Sequence, residues 1–166
     1  AVRALREGRI PELDVDARRH TEVELHLPAL IPDDYLGDVH TRLMLYKRIA
    51  SAPDDEVLDR LTEEMVDRFG VLPPQTANLF QVARLRLRAA ALGIRKLELG
   101  ALGGRVLFFP NPPVDALVVI RMVQKLPKVY ALDGPDKLKV RLELPGAAER
   151  LRTAGDILRV LGGTTS

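Results

Sequence analysis

Between Val39 and Ala90 the apolar residues fall three times into helical spacing, and from Ile94 onward the spacing changes to alternation. A chain that carries both periods in succession must pack helices against a sheet. The first helical stripe is Val39, Leu43, Tyr46 and Ile49 behind an Asp38 cap, and the second is Val57, Leu58, Leu61, Met65 and Phe69. The third, Leu79, Val82, Ala83, Arg86 and Ala90, is entered through Pro73-Pro74 and stopped by Gly93. Short connections between them predict antiparallel neighbours.

Around this block the sequence predicts strands. Thr21 to Leu27 alternates polar and apolar residues, placing Val23, Leu25 and Leu27 on one face. After the helices, Ile94 to Leu99 and Arg105 to Phe109 flank the glycine-rich Gly100-Ala101-Leu102-Gly103-Gly104 and form a hairpin. Val114 to Lys125 is a strongly apolar helix, expected to be covered on most sides and to pack across the sheet. Val129 to Leu132 and Lys137 to Leu144 make two more strands about the turn Asp133-Gly134-Pro135-Asp136, and Ala147 to Leu161 closes the chain as a helix. The fold class is α+β: an N-terminal strand and helical block, then a small, mostly antiparallel sheet with packed helices. Residues 1–20 read as a linker or the end of a preceding domain, 21–161 as the domain, and 162–166 as a flexible tail.

Composition removes several function classes. The chain has 166 residues and no cysteine, so disulfides and thiolate metal sites are absent, which suits the cytoplasm. No apolar run is long enough to cross a bilayer and no signal-peptide pattern opens the chain. With 25 basic against 23 acidic residues the formal charge is only +2, which gives little general support to nucleic-acid binding. The sequence begins at Ala1 and not at methionine, as expected of a fragment or a processed product.

Catalytic patterns are missing. A nucleotide hydrolase needs a Gly-x-x-x-x-Gly-Lys-Ser/Thr loop and magnesium carboxylates, and neither is present. Gly100 to Gly104 lies between two strands, with no helix N-terminus to receive a phosphate. His20, His26 and His40 match no zinc spacing. Asp33-Asp34 and Asp54-Asp55-Glu56 stand where helices are expected to begin, and capping explains them. There is no nucleophile elbow and no thiol. Neither an enzyme nor a cofactor is expected.

Two charged features remain. Arg84, Arg86, Arg88, Arg95 and Lys96 concentrate positive charge at the end of the third helix, near Tyr46-Lys47-Arg48, without interleaved aromatic residues. Glu63, Glu64 and Asp67 make the second helix acidic, with Glu64 and Asp67 three apart on one face and Arg68 beside them. Each is an ordinary solvated face unless something else distinguishes it.

Four segments supply that distinction. Tyr46-Lys47-Arg48-Ile49-Ala50, Asp67-Arg68-Phe69-Gly70, Leu92-Gly93-Ile94-Arg95-Lys96-Leu97 and Leu132-Asp133-Gly134-Pro135, in this order, closely resemble the C-terminal domain of the bacterial transcription-repair coupling factors, the TRCF family. The resemblance runs from about Thr21 to near the C-terminus, and neither the turn at Gly100 to Gly104 nor the tail after Leu161 contributes to it. It implies a non-catalytic, autoinhibitory domain of an ATP-dependent DNA translocase that displaces stalled RNA polymerase and recruits nucleotide excision repair. In that family the domain docks on the UvrB-like N-terminal module of the same protein and masks its UvrA-binding surface. UvrA is then a partner by competition, RNA polymerase and DNA are partners of the full-length protein, and no membrane is involved. The helix before Asp-Arg-Phe-Gly meets an arginine-bearing face of that module, which by position makes Glu64 and Asp67 the expected contacts, with Glu63 and Arg68 adjoining.

Two alternatives stay open at this point. One is a nucleic-acid-binding module using Arg84, Arg86, Arg88 and Lys96 on phosphate. The other is a small-molecule regulatory domain with a polar pocket between the sheet and the helix that begins at Val114.

Overall fold

The structure, a computed structural model, describes residues 20–163. The linker expected at residues 1–20 and the tail at 162–166 lie outside the described residues except at their inner ends. In chain order the elements are β1 (Glu22–Glu24), α1 (Val39–Ala50), α2 (Asp55–Phe69), α3 (Pro74–Ala91), β2 (Ile94–Gly100), β3 (Gly103–Phe108), α4 (Ala116–Lys125), β4 (Tyr130–Leu132), β5 (Lys137–Val140) and α5 (Ala147–Leu161). The strands form one sheet in the order β1-β2-β3-β5-β4. β1 runs parallel to β2, and the other neighbours are antiparallel. The α+β class read from the sequence is the observed one.

The helix boundaries follow from local chemistry. Asp38 accepts from the Thr41 amide at 3.2 Å and Asp54 from the Val57 amide at 3.0 Å, so these carboxylates are caps. Asp33-Asp34 instead occupies a separate turn, closed by the Leu36 amide on the Pro32 carbonyl at 3.1 Å. Gly70 ends α2 at φ +98°. Gly93 ends the turn after α3 at φ +74°, and a Cβ there would lie 2.8 Å from Cδ of Pro113. Only glycine meets both demands, since that backbone conformation disfavours a side chain and the proline leaves no room for one.

Two apolar cores result. Ile31, Leu45, Ile49, Leu58, Leu61, Met65 and Phe80 pack within the helical block. Leu97, Leu99, Val106, Leu138, Ile157 and Leu161 are among those packed between the sheet and α3, α4 and α5. α3 belongs to both, giving Phe80 and Ala83 to the first and Leu85 and Ala89 to the second. A helix with two buried sides shows no single stripe, which is why the predicted Arg86 and Ala90 are not core residues. Thr76, fully buried, donates to the Leu30 carbonyl at 2.9 Å and ties α3 to the loop before α1.

Other expectations need correction. On α1 the buried residues are Leu45 and Ile49, while Val39 and Leu43 are 57% and 59% exposed. Polar residues turn this helix: Arg42 donates to the Leu36 carbonyl at 3.1 Å, and the Tyr46 hydroxyl accepts from the Ile31 amide at 2.7 Å. α4 is less covered than expected, because Met122 is buried but Leu117 and Ile120 are 57% and 41% exposed. β1 is shorter than the alternation, since His26 takes φ +52° and leaves the extended line. β5 stops at Val140, although the Arg141 amide still reaches Val129 and the Leu144 amide reaches Ala101.

Candidate functional site

α2 lies in the helical block with Leu58, Leu61 and Met65 turned to the core, so its charges fall into rows on the remaining surface. The row facing α3 is neutralised: Arg84 holds Asp59 at 2.6 Å and Asp55 at 3.6 Å. The row facing α1 is neutralised too. Arg48 of α1 donates to both carboxylate oxygens of Glu64, at 2.9 and 3.1 Å, and Arg68 adds a contact at 3.3 Å. The Arg48 hydrogen bonds hold the Glu64 carboxyl below the usual range against the opposing effect of burial, with help from the Arg48 charge and from Arg68.

Between these rows stand Glu63 and Asp67, both exposed and four apart. Neither forms an ion pair among the described residues. The sequence placed Glu64 and Asp67 together as one solvent-directed face; the structure instead makes Glu64 an inter-helix anchor and leaves Glu63 beside Asp67 as the open acids.

The Asp-Arg-Phe-Gly segment fixes the end of this surface. Arg68 lies 4.8 Å from the centre of the Phe69 ring, and that ring meets Tyr35 edge-on at 6.1 Å. The Tyr35 hydroxyl donates to the Gly70 carbonyl at 2.8 Å. Three side chains therefore hold the last turn of α2, so Asp67 is presented from a rigid end. Val66 and Val71 beside it are 39% and 86% exposed, giving this acidic surface some apolar area of its own.

The basic residues of the alternative reading do not share one free surface. Arg84 is held by α2, and Arg86 donates to the Ala50 carbonyl at the end of α1 at 2.8 Å. Arg88 lines a cleft against α5 with Arg152 and Asp156. Lys96, on β2, sits 3.9 Å from Glu98. The open cleft between α4 and the sheet, about 660 Å³, is walled mostly by apolar groups such as Phe108, Val114, Ile120 and Leu132, with few polar groups to orient a small molecule. Among the described residues no cluster of three metal-ligating side chains occurs, and no helix is long and apolar enough to cross a membrane.

Sequence reasoning missed a second charged surface. Lys96, Glu98, Arg105, Lys137 and Lys139 alternate with buried residues along β2, β3 and β5, and so occupy the face of the sheet away from the core. No single stretch of sequence shows this cluster, because three strands contribute to it.

Comparison with known proteins completes the picture. The family model described as the TRCF domain matches residues 25–118. The chain is 44% identical over 161 residues, 97% of its length, to the transcription-repair-coupling factors of Haemophilus influenzae and Escherichia coli. It spans only 14% of the length of either. Its fold is similar to the crystal structure of the C-terminal domain of a transcription-repair coupling factor, with a TM-score of 0.70 at 20% identity, covering 88% of this chain and 96% of that one.

Proposed function

The chain belongs to the TRCF-domain family of transcription-repair-coupling factors, and from that premise we infer that it is a non-catalytic regulatory domain that acts by docking. Its target is the UvrB-like module of the same full-length protein, and docking covers the surface to which UvrA would bind. The full-length protein, by the same inference, is an ATP-dependent DNA translocase acting on stalled RNA polymerase.

The observation that carries this reading is the pair Glu63 and Asp67, two exposed carboxylates without ion-pair partners among the described residues, on a helix whose other acids are neutralised. Charges left open on a rigid helix suit a partner bearing arginines. Such contacts steer association and set specificity more than they add affinity, as a reversible latch requires. A closed state favoured by only a few kcal/mol keeps the open form at roughly 0.1–10% of molecules.

Titration of this chain against the separately purified UvrB-like module tests the docking step. Wild type should bind, and Glu63→Arg with Asp67→Arg should weaken binding at least about tenfold, the effect of a cost near 1.4 kcal/mol. Absence of binding by the wild type, or equal binding by both, contradicts the reading.

A further inference from the structure

The sheet face away from the core carries a charge distribution that folding does not require. Strand register sets Arg105 of β3 directly opposite Lys139 of β5, and like charges in that relation destabilise a sheet. Lys137 lies two residues before Lys139 on the same face, so the two are about 7 Å apart along the strand. Arg141 follows, exposed and without a side-chain partner among the described residues.

Two carboxylates pair directly with these charges. Glu98 accepts from Arg105 at 3.3 Å and lies 3.9 Å from Lys96, and Asp133 is shared by Lys137 at 3.3 Å and Lys139 at 3.6 Å. The same face also carries Glu22 and Glu24 of β1, in register with Lys96 and Glu98 at one edge of the sheet. The positive charge therefore gathers on β3 and β5, where Arg105, Lys137, Lys139 and Arg141 meet only Glu98 and Asp133 in ion pairs among the described residues. The surface is also concave: a cleft of about 420 Å³ is bounded by His26, Glu98, Arg105, Lys139 and Arg141, with Gly104 at its floor side. Gly104 cannot be enlarged, since a Cβ would fall 1.7 Å from the Glu98 carbonyl oxygen, so the backbone there stays flat.

We propose that this face, centred on Arg105, Lys139 and Arg141, is a binding surface for the phosphate backbone of nucleic acid. The ligand must carry repeated negative charge, because the cations repeat along and across the strands. Protein interfaces draw their energy from a buried apolar or aromatic centre, and here Leu102, at the hairpin tip, is the one exposed large apolar side chain at the cleft. No Phe, Tyr or Trp ring lines it for stacking on bases, so binding should be largely indifferent to sequence. This surface is separate from Glu63 and Asp67, and the proposal does not depend on the regulatory reading.

The test is fluorescence anisotropy of the full 166-residue chain with a labelled 20-base-pair duplex and a labelled 20-nucleotide single strand, across about 50 to 200 mM salt. Three or so phosphate contacts predict a slope of log K against log salt of about −3 on duplex. Lys139→Ala with Arg141→Ala, both exposed, should weaken binding at least about fivefold and reduce that slope by about 2. Arg60→Ala with Arg121→Ala removes the same charge at exposed positions elsewhere and should leave binding unchanged; circular dichroism and thermal unfolding confirm that both variants fold. Overturning results are no binding by wild type at the lowest salt, equal weakening by the two double variants, or displacement of the duplex by polyglutamate at lower charge concentration than by unlabelled duplex. The last of these would assign the surface to an acidic protein segment.

Discussion

Arg48 on α1 grips the carboxylate of Glu64 on α2 with both terminal nitrogens, at 2.9 and 3.1 Å. A two-pronged pair between helices fixes their spacing as well as their charge. It also separates the acids of one helix, since Glu64 serves the fold while Glu63 and Asp67 make no ion pair among the described residues, as the proposed docking requires.

The pair is half exposed, so its expected worth is small. A double-mutant cycle with Arg48→Ala and Glu64→Ala should give a coupling of about 0.5 to 1 kcal/mol by chemical denaturation. Glu64→Arg should cost more than Glu64→Ala, because it sets a third guanidinium against Arg48 and Arg68. A coupling indistinguishable from zero would mean that Glu64 is as free as its neighbours.

Packing under the same helix makes a larger effect. Leu61 and Met65 are almost fully buried in the helical core, and Leu61→Ala or Met65→Ala should each destabilise by about 2 to 5 kcal/mol. Urea unfolding of both variants measures it, and no change at either position would place the wrong face of α2 in the core.

Much of this was legible in the sequence. The α2 stripe of Leu58, Leu61 and Met65, the Asp38 and Asp54 caps, and the hairpins at Ala101-Leu102 and Asp133-Gly134 follow from periodicity and turn chemistry, which act over a few residues. The orientation of α1 was not, because Arg42 and Tyr46 bind loop groups that no apolar count registers. The role of Glu64 was hidden for a related reason: its partner lies 16 residues away on another helix. The basic sheet face was hidden most completely, since Arg105 and Lys139 become neighbours only through strand register.

Acid should unfold the domain through particular carboxylates. Glu64, Glu98 and Asp133 are all held below the ordinary range, chiefly by hydrogen bonds from Arg48, His26 and Lys137 respectively. A carboxyl with a depressed native pKa stabilises the fold while ionised, so its contribution is complete above the ordinary carboxylate range and is lost as pH falls through the depressed values. The melting temperature should therefore fall steeply below about pH 4. Glu64→Gln with Glu98→Gln should flatten that fall, and an unchanged pH profile would show that these pairs do not link protonation to folding.

The central claim is that the open acids of α2 hold a latch. It is measured most directly by the affinity of the full-length factor for UvrA, comparing wild type with Glu63→Arg and Asp67→Arg together, at matched salt. Glu64 is left alone because its loss would disturb the α1 contact. Reversal should set like charges against the arginines of the docked module and open the latch, so UvrA should bind the variant more tightly, while the free domain's stability changes by about 1 kcal/mol or less. Equal UvrA affinities with the variant fully folded would contradict the account and reduce Glu63 and Asp67 to solvated surface charge.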